Sequence, residues 1–92
     1  MALNPTSRPK RNSEYEIEAL EGELLLYHLG ETKILYCNET AAVIWQLCDG
    51  SHTVEEITTL LAEAFPDAAA AMNDDVTATL EQFLTQKVIE LA

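Results

Sequence analysis

Residues 32–50 read TKILYCNETAAVIWQLCDG, and the hydrophobic period changes inside that stretch. Thr32 to Cys37 is a β-branched and aromatic run of the kind that fits a pleated, half-buried strand. At Asn38 the period becomes 3.6. Asn38 is a good helix N-cap. Ala41, Ile44, Trp45 and Cys48 then recur at i, i+3, i+4 and i+7, with Val43 and Leu47 widening the stripe. An apolar face that broad predicts a buried helix. Asp49-Gly50 ends it, with Gly50 expected at the C′ position.

Reading outward from this junction, the amino-terminal side is strand-like. Glu14-Tyr15-Glu16-Ile17-Glu18-Ala19 alternates polar and apolar residues, the signature of a strand with one wet face. Glu21-Gly22 offers a turn, Glu23 to Leu29 is nearly all apolar, and Gly30-Glu31 suits a type II′ hairpin. Two short connections in a row predict an antiparallel meander. Residues 1–13, with Pro5, Pro9 and the bases Arg8, Lys10 and Arg11, offer little to bury and read as a flexible basic tail. The folded domain is therefore expected over 14–92.

The carboxyl-terminal side is helical. Thr53-Val54-Glu55-Glu56 matches a capping box, and Val54, Ile57, Leu60, Leu61, Ala64 and Phe65 form one face. Pro66-Asp67 stops that helix, and Ala68 to Met72 suits a helical turn or a loop. Asn73 is expected to cap a third helix, with Asp74 and Asp75 in its first turn and Val76, Leu80, Phe83 and Leu84 buried. Val88 to Leu91 is a last apolar tie-down. The fold class expected is α+β: a three-stranded antiparallel β meander followed by three α-helices, similar to a winged helix-turn-helix.

Composition narrows the function. Ninety-two residues fit one domain with a modest core. Sixteen acids face five bases, for a net charge of −11, and three of the bases lie at positions 8–11. From Asn12 onward the only bases are Lys33 and Lys87. Such a field repels phosphate backbones and anionic lipid, so a nucleic-acid or membrane partner is not expected despite the winged-helix order. No apolar run approaches the length of a membrane span, and no hydrophobic segment follows the basic residues as a secretory signal requires. Two cysteines without an export signal point to a reducing cytoplasm.

Catalytic chemistry finds little footing. His28 sits mid-strand and His52 in a loop, and neither belongs to a nucleophile motif. Cys37 and Cys48 are eleven positions apart, wrong for a zinc pair, and read as small core residues. The three glycines never cluster into a phosphate-cradling loop. A carrier-protein serine would need Asp-Ser-Leu at a helix start, whereas the chain has Asp49-Gly50-Ser51-His52. No enzyme activity, metal or cofactor is expected.

Tyr36 to Gly50 resembles the L-N-x-T-A-x-x-I-W-x-L-x-D-G core of PqqD-like proteins, named for a component of pyrroloquinoline quinone synthesis. Thr53-Val54-Glu55-Glu56-Ile57 is similar to the family's T-V-x-E-I, and Asp75-Val76 with Leu80 and Phe83-Leu84 to its D-V-x-x-x-L-x-x-L. The resemblance covers about residues 14–91; Cys37 departs from it by standing where the family usually has Leu. It implies a non-catalytic recognition element for ribosomally made, post-translationally modified peptides. Such a domain binds the leader of a precursor peptide as an added strand and presents it to a modifying enzyme, a radical SAM protein or a leader peptidase and cyclase of the lasso type. The alternative is a general protein-interaction adaptor on the same fold that does not bind DNA.

The residues themselves point to the same place. The third strand has one neighbour and is an open edge, ready for β-strand addition by a peptide or by a second copy in a homodimer. The expected site is Lys33, Ile34, Leu35, Tyr36 and Cys37, with the peptide antiparallel along them. Period two leaves Ile34 and Tyr36 free and turns Leu35 and Cys37 to the core. The third helix is expected to close the groove with Asp75, Thr79, Gln82 and Phe83 beside a floor of Val76 and Leu80.

Overall fold

The computed structural model describes residues 3–20 and 23–91. Strands β2 (Tyr15–Leu20), β3 (Glu23–His28) and β4 (Ile34–Cys37) form an antiparallel sheet in the order β2-β3-β4. Helices α1 (Glu39–Leu47), α2 (Val54–Ala64) and α3 (Met72–Gln86) follow, with a 3₁₀ segment over Pro66–Ala71 before α3. This is the expected meander and three helices. The turn expected at Glu21-Gly22 lies outside the described residues.

The local signals that end and begin helices act as read. The Asn38 side chain accepts the Ala41 N–H at 2.7 Å. Thr53 Oγ1 accepts from Glu56 N–H at 3.1 Å and Glu56 accepts from Thr53 N–H at 2.8 Å, closing the capping box. Three details differ. Gly50 does take the left-handed conformation (φ 82°), but two residues past the Cys48 cap, because the Cys48 and Asp49 N–H groups already bond Trp45 and Leu47. Gly30 has no positive φ, so the β3–β4 turn is not type II′. The loop instead closes on His28 N–H to the Lys33 carbonyl, and the His28 ring accepts the Gly30 N–H at 3.0 Å. Asn73 does not cap α3: the 3₁₀ turn runs straight into the helix, and the Met72 N–H bonds Ala69, so no side-chain cap is needed.

The largest departure is at the amino terminus. The segment expected as a flexible tail is, over its described part, folded onto the domain. Pro9–Arg11 form β1, paired antiparallel with β5 (Ile89–Leu91). Pro9 is buried. The Arg11 N–H donates to the Cys48 carbonyl at 2.7 Å, and the Arg11 guanidinium donates to Gln46 O and lies over the Trp45 ring, 5.6 Å from its centroid. The first two N–H groups of α2 are orphans of the helix itself. Here Val54 donates to Ser7 O at 2.9 Å and Glu55 to Pro5 O at 3.0 Å. The basic segment thus sits on an acidic body and finishes one of its helices.

Removing residues 1–11 should accordingly lower stability. The shortened chain gives up the β1–β5 pairing, the acceptors of the Val54 and Glu55 N–H groups, the burial of Pro9 and the Arg11–Trp45 contact. A lower urea midpoint is the expected result for the shortened chain. A urea midpoint equal to that of the full chain would show the arm to be an appendage.

The core lies between the sheet's inner face and the helices. Leu26, Ile44, Ile57, Leu61, Val76 and Leu80 are fully enclosed. Around its rim two carboxylates are held below the usual range. Asp49 accepts from Ser51 N–H and Oγ–H and from His52, and Glu56 accepts from Thr53. A depressed pKa contributes stability that is present above the unfolded value, about 4, and is lost as the pH falls below it. The melting temperature should therefore drop on acidification below pH ~4, and less steeply in Asp49→Asn. A wild-type slope no steeper than the variant's would contradict the role given to that carboxylate.

Candidate functional site

β4 is an edge strand, and its register with β3 fixes which way its peptide groups point. The pairs are Leu24–Cys37, Leu25–Tyr36, Leu26–Leu35 and Tyr27–Ile34. The Lys33 carbonyl accepts the His28 N–H at 3.0 Å, so Lys33 faces β3. By alternation Leu35 and Cys37 also bond toward β3, and the N–H and C=O groups of Ile34 and Tyr36 point out from the sheet edge. Among the residues of the sheet whose side chains are described, theirs are the most exposed large apolar ones, 57% for Ile34 and 68% for Tyr36. Leu35 and Cys37 are half-buried and pack against the core. The division of β4 into a free pair and an inward pair is as read from the period.

α3 passes the two ends of this edge in the opposite direction to β4. At one end Asp75, Ala78 and Thr79 share an open hollow of about 280 Å³ with Asn38 and Thr40. At the other end Gln86 shares a small cavity of about 20 Å³ with Lys33, Ile34, Leu35, Tyr15 and Val88. Helix positions 75 and 79 therefore lie by the carboxyl end of β4 and position 86 by its start. The seam is the line from the first hollow, between α3 and the start of α1, to the second, between α3 and the start of β4.

The site residues named from sequence fall into two sets. Lys33 to Cys37, Asp75 and Thr79 line the seam or its strand, and Gln82 is exposed on the intervening turn of α3. Val76, Leu80 and Phe83 do not form its floor or rim. They are 0%, 0% and 2% exposed, on the face of α3 that packs into the core, so they hold the helix in place from beneath. Asn38, Thr40 and Gln86 were not anticipated. Gln86 was within reach, since Asp75, Thr79, Gln82 and Gln86 recur at i, i+4, i+7 and i+11 and share one helix face.

The other chemically notable groups are engaged structurally. His28 Nε2 lies 2.8 Å from Glu14, and its ring stands edge-on to Tyr15 with centroids 4.9 Å apart. His52 bonds Asp49 at 3.0 Å, and Ser51 Oγ donates to that same carboxylate rather than to a histidine. Burial pushes the Cys48 thiol up to about 12, and it donates to the Ile44 carbonyl. Burial also raises the Cys37 thiol, against a lowering contact from Leu26. Such thiols are poor nucleophiles. Among the described residues no three His, Cys, Asp or Glu side chains converge to hold a metal ion, and no helix is long and apolar enough to cross a membrane. Larger hollows of about 430 and 600 Å³ flank α2, lined by the arm and by Thr58, Thr59 and Glu55, and share no residue with the seam.

Comparison with known proteins shows the family and the fold. The profile of the Coenzyme PQQ synthesis protein D (PqqD) family matches residues 23–89. A "PqqA binding protein" of Klebsiella pneumoniae (strain 342) is 41% identical over 71 residues, 77% of this chain and 73% of that protein. Another from Pseudomonas fluorescens (strain Pf-5) is 36% identical over 88 residues, 96% of this chain and 91% of that one. Among solved structures, TbiB1 in complex with the TbiA(beta) leader peptide shares the fold with a TM-score of 0.71 at 17% identity, covering 88% of this chain and 94% of TbiB1. With β3, β4, all three helices and the capping box inside the matched span, the chain belongs to the PqqD family.

Proposed function

We propose that this chain is a non-catalytic recognition element that binds the leader segment of a ribosomally made precursor peptide and presents the remainder to a modifying enzyme. The leader adds as a strand along β4. The observation that carries the reading is the open β4 edge, with Ile34 and Tyr36 facing outward beside the polar flank of α3. Relatives named for binding PqqA support it, as does the shared fold of a protein solved with a leader peptide.

The physical division of labour follows from the strand. Outward peptide groups of Ile34 and Tyr36 give hydrogen bonds that do not depend on the peptide's side chains. Selectivity comes from alternate side chains. Outward ones meet Ile34 and Tyr36, and inward ones enter the seam against Thr79, Gln82 and Gln86. The sheet's other edge, β2, turns Glu16 and Glu18 outward from the same face as Tyr27 and Leu25 and is a poorer match for apolar anchors. The enzyme served is a radical SAM protein or a leader peptidase with its cyclase, acting on a substrate that this chain holds but does not change. The free state of both cysteines accords with work in the reducing cytoplasm, where such precursors are made.

The test is an amide-shift titration of the labelled chain with synthetic PqqA and, in parallel, with the TbiA(beta) leader. Shifts should centre on Lys33–Cys37 and on Asp75, Thr79, Gln82 and Gln86. Shifts confined to residues 14–20 and the Ser51–Thr53 loop, or none with either peptide, would overturn the assignment.

A further inference from the structure

We infer that the hollow at the Asn38 end of the seam is a subsite for one lysine or arginine side chain of the bound peptide, with Asp75 as its counter-charge. The inference rests on the strand-addition reading and extends it from backbone pairing to a charge requirement in the peptide.

The hollow is lined by Asn38, Thr40, Asp75, Ala78 and Thr79. Four of the five carry polar side chains, and the one charge is negative. At about 280 Å³ it has room for a long side chain and accompanying water. Lys33 and Lys87, the only bases beyond Arg11, do not line it. Among the described residues Asp75 has no ion-pair or side-chain hydrogen-bond partner, unlike Asp49, which accepts from both Ser51 and His52. An acid in the first turn of α3 also favours the helix dipole, but Asp74 fills that role as well. Asp75 is the one of the two that lines the hollow.

Strand geometry says where in the peptide the base must stand. An antiparallel strand on β4 runs from the Asn38 end to the Lys33 end. The residue opposite Tyr36 turns outward with it, and its amino-terminal neighbours pass Cys37 and Asn38. An inward side chain about one or three places before the residue opposite Tyr36 therefore enters the hollow. Donors on Lys or Arg find Asp75 together with the Asn38, Thr40 and Thr79 oxygens. A peptide with an acid in that place meets Asp75 unscreened by any base of the chain.

The experiment is selection of random dodecapeptides displayed on phage against the full chain, Asp75→Lys, Asp75→Asn and Tyr36→Pro. Peptides from the wild type should share a Lys or Arg at a fixed distance amino-terminal to alternating apolar residues. Asp75→Lys should select Asp or Glu at that place, and Asp75→Asn should lose the preference. A synthetic wild-type binder with its base changed to Glu should bind the wild type about five- to tenfold more weakly and regain affinity for Asp75→Lys. Thr79→Lys, which sets an ammonium of its own in the hollow, should weaken the original peptide. The same charge preference in wild type and Asp75→Lys would overturn the subsite while leaving strand addition intact. Recovery of the same peptides by Tyr36→Pro, or of none by the wild type, would overturn strand addition and the subsite with it.

Discussion

Trp45→Ala should remove a large share of the chain's stability. Trp45 is 6% exposed at the centre of the α1 stripe. Its Nε1–H donates to the Val88 carbonyl at 3.1 Å, and its ring carries the Arg11 guanidinium. One side chain thus joins the helix to the approach of β5 and to the amino-terminal strand. Truncating a buried aromatic residue costs about 3–5 kcal/mol in lost transfer energy and cavity. The Val88 carbonyl is not orphaned, because it also accepts the Asn12 N–H at 3.0 Å. The loss is therefore one of packing more than of hydrogen bonding. A domain of this size has on the order of 5–10 kcal/mol in all, so the variant loses roughly a third of it or more. Trp45→Phe keeps a ring under Arg11 and should cost only about 1–2 kcal/mol. Urea unfolding followed by circular dichroism checks both, and an unchanged midpoint for the alanine variant would contradict the bridging role.

What could be read in advance follows the range of the interactions. Asn38, Thr53 and Glu56 act within one helical turn, and the stripes of α1 and α2 repeat within their own segments, so both are visible in local order. β1 is not. Pro9–Arg11 is three residues long, carries two charges, and finds its partner at Ile89–Leu91 from the other end of the chain. No local period announces such a pairing. The same holds for the orphan donors of α2, whose acceptors at Pro5 and Ser7 come from a segment that composition alone marks as unstructured. At the site, the edge character of β4 and the freedom of Ile34 and Tyr36 follow from connection lengths and period two. Val76, Leu80 and Phe83 were assigned both to the core and to the groove. One face of a helix cannot be enclosed and available together, and the structure gives them to the core. The seam instead falls to the neighbouring face, Asp75, Thr79, Gln82 and Gln86, whose polarity makes it look like ordinary solvent surface until β4 is set beside it.

Tyr36→Pro should cost the leader more than tenfold in affinity while sparing the fold. Proline lacks the N–H and is tolerated in a sheet where that group faces away from the neighbouring strand. The Tyr36 N–H points out from the edge, so the β3–β4 ladder keeps its bonds through Lys33, Leu35 and Cys37. A peptide strand on that edge loses one hydrogen bond and meets the pyrrolidine ring where its own carbonyl should lie. Each 1.4 kcal/mol is tenfold in binding, and a lost bond with an unpaired, desolvated peptide carbonyl is worth about 1–3 kcal/mol. Tyr36→Ala removes the exposed ring but keeps the N–H. If affinity came chiefly from side-chain contact, alanine would be the worse substitution. If it comes from strand addition, proline is. Isothermal titration of the three chains with one leader peptide decides the order, with melting temperatures as the control for folding. Equal affinity of wild type and Tyr36→Pro would place the peptide elsewhere, because a strand added to this edge loses a bond at position 36 without that N–H.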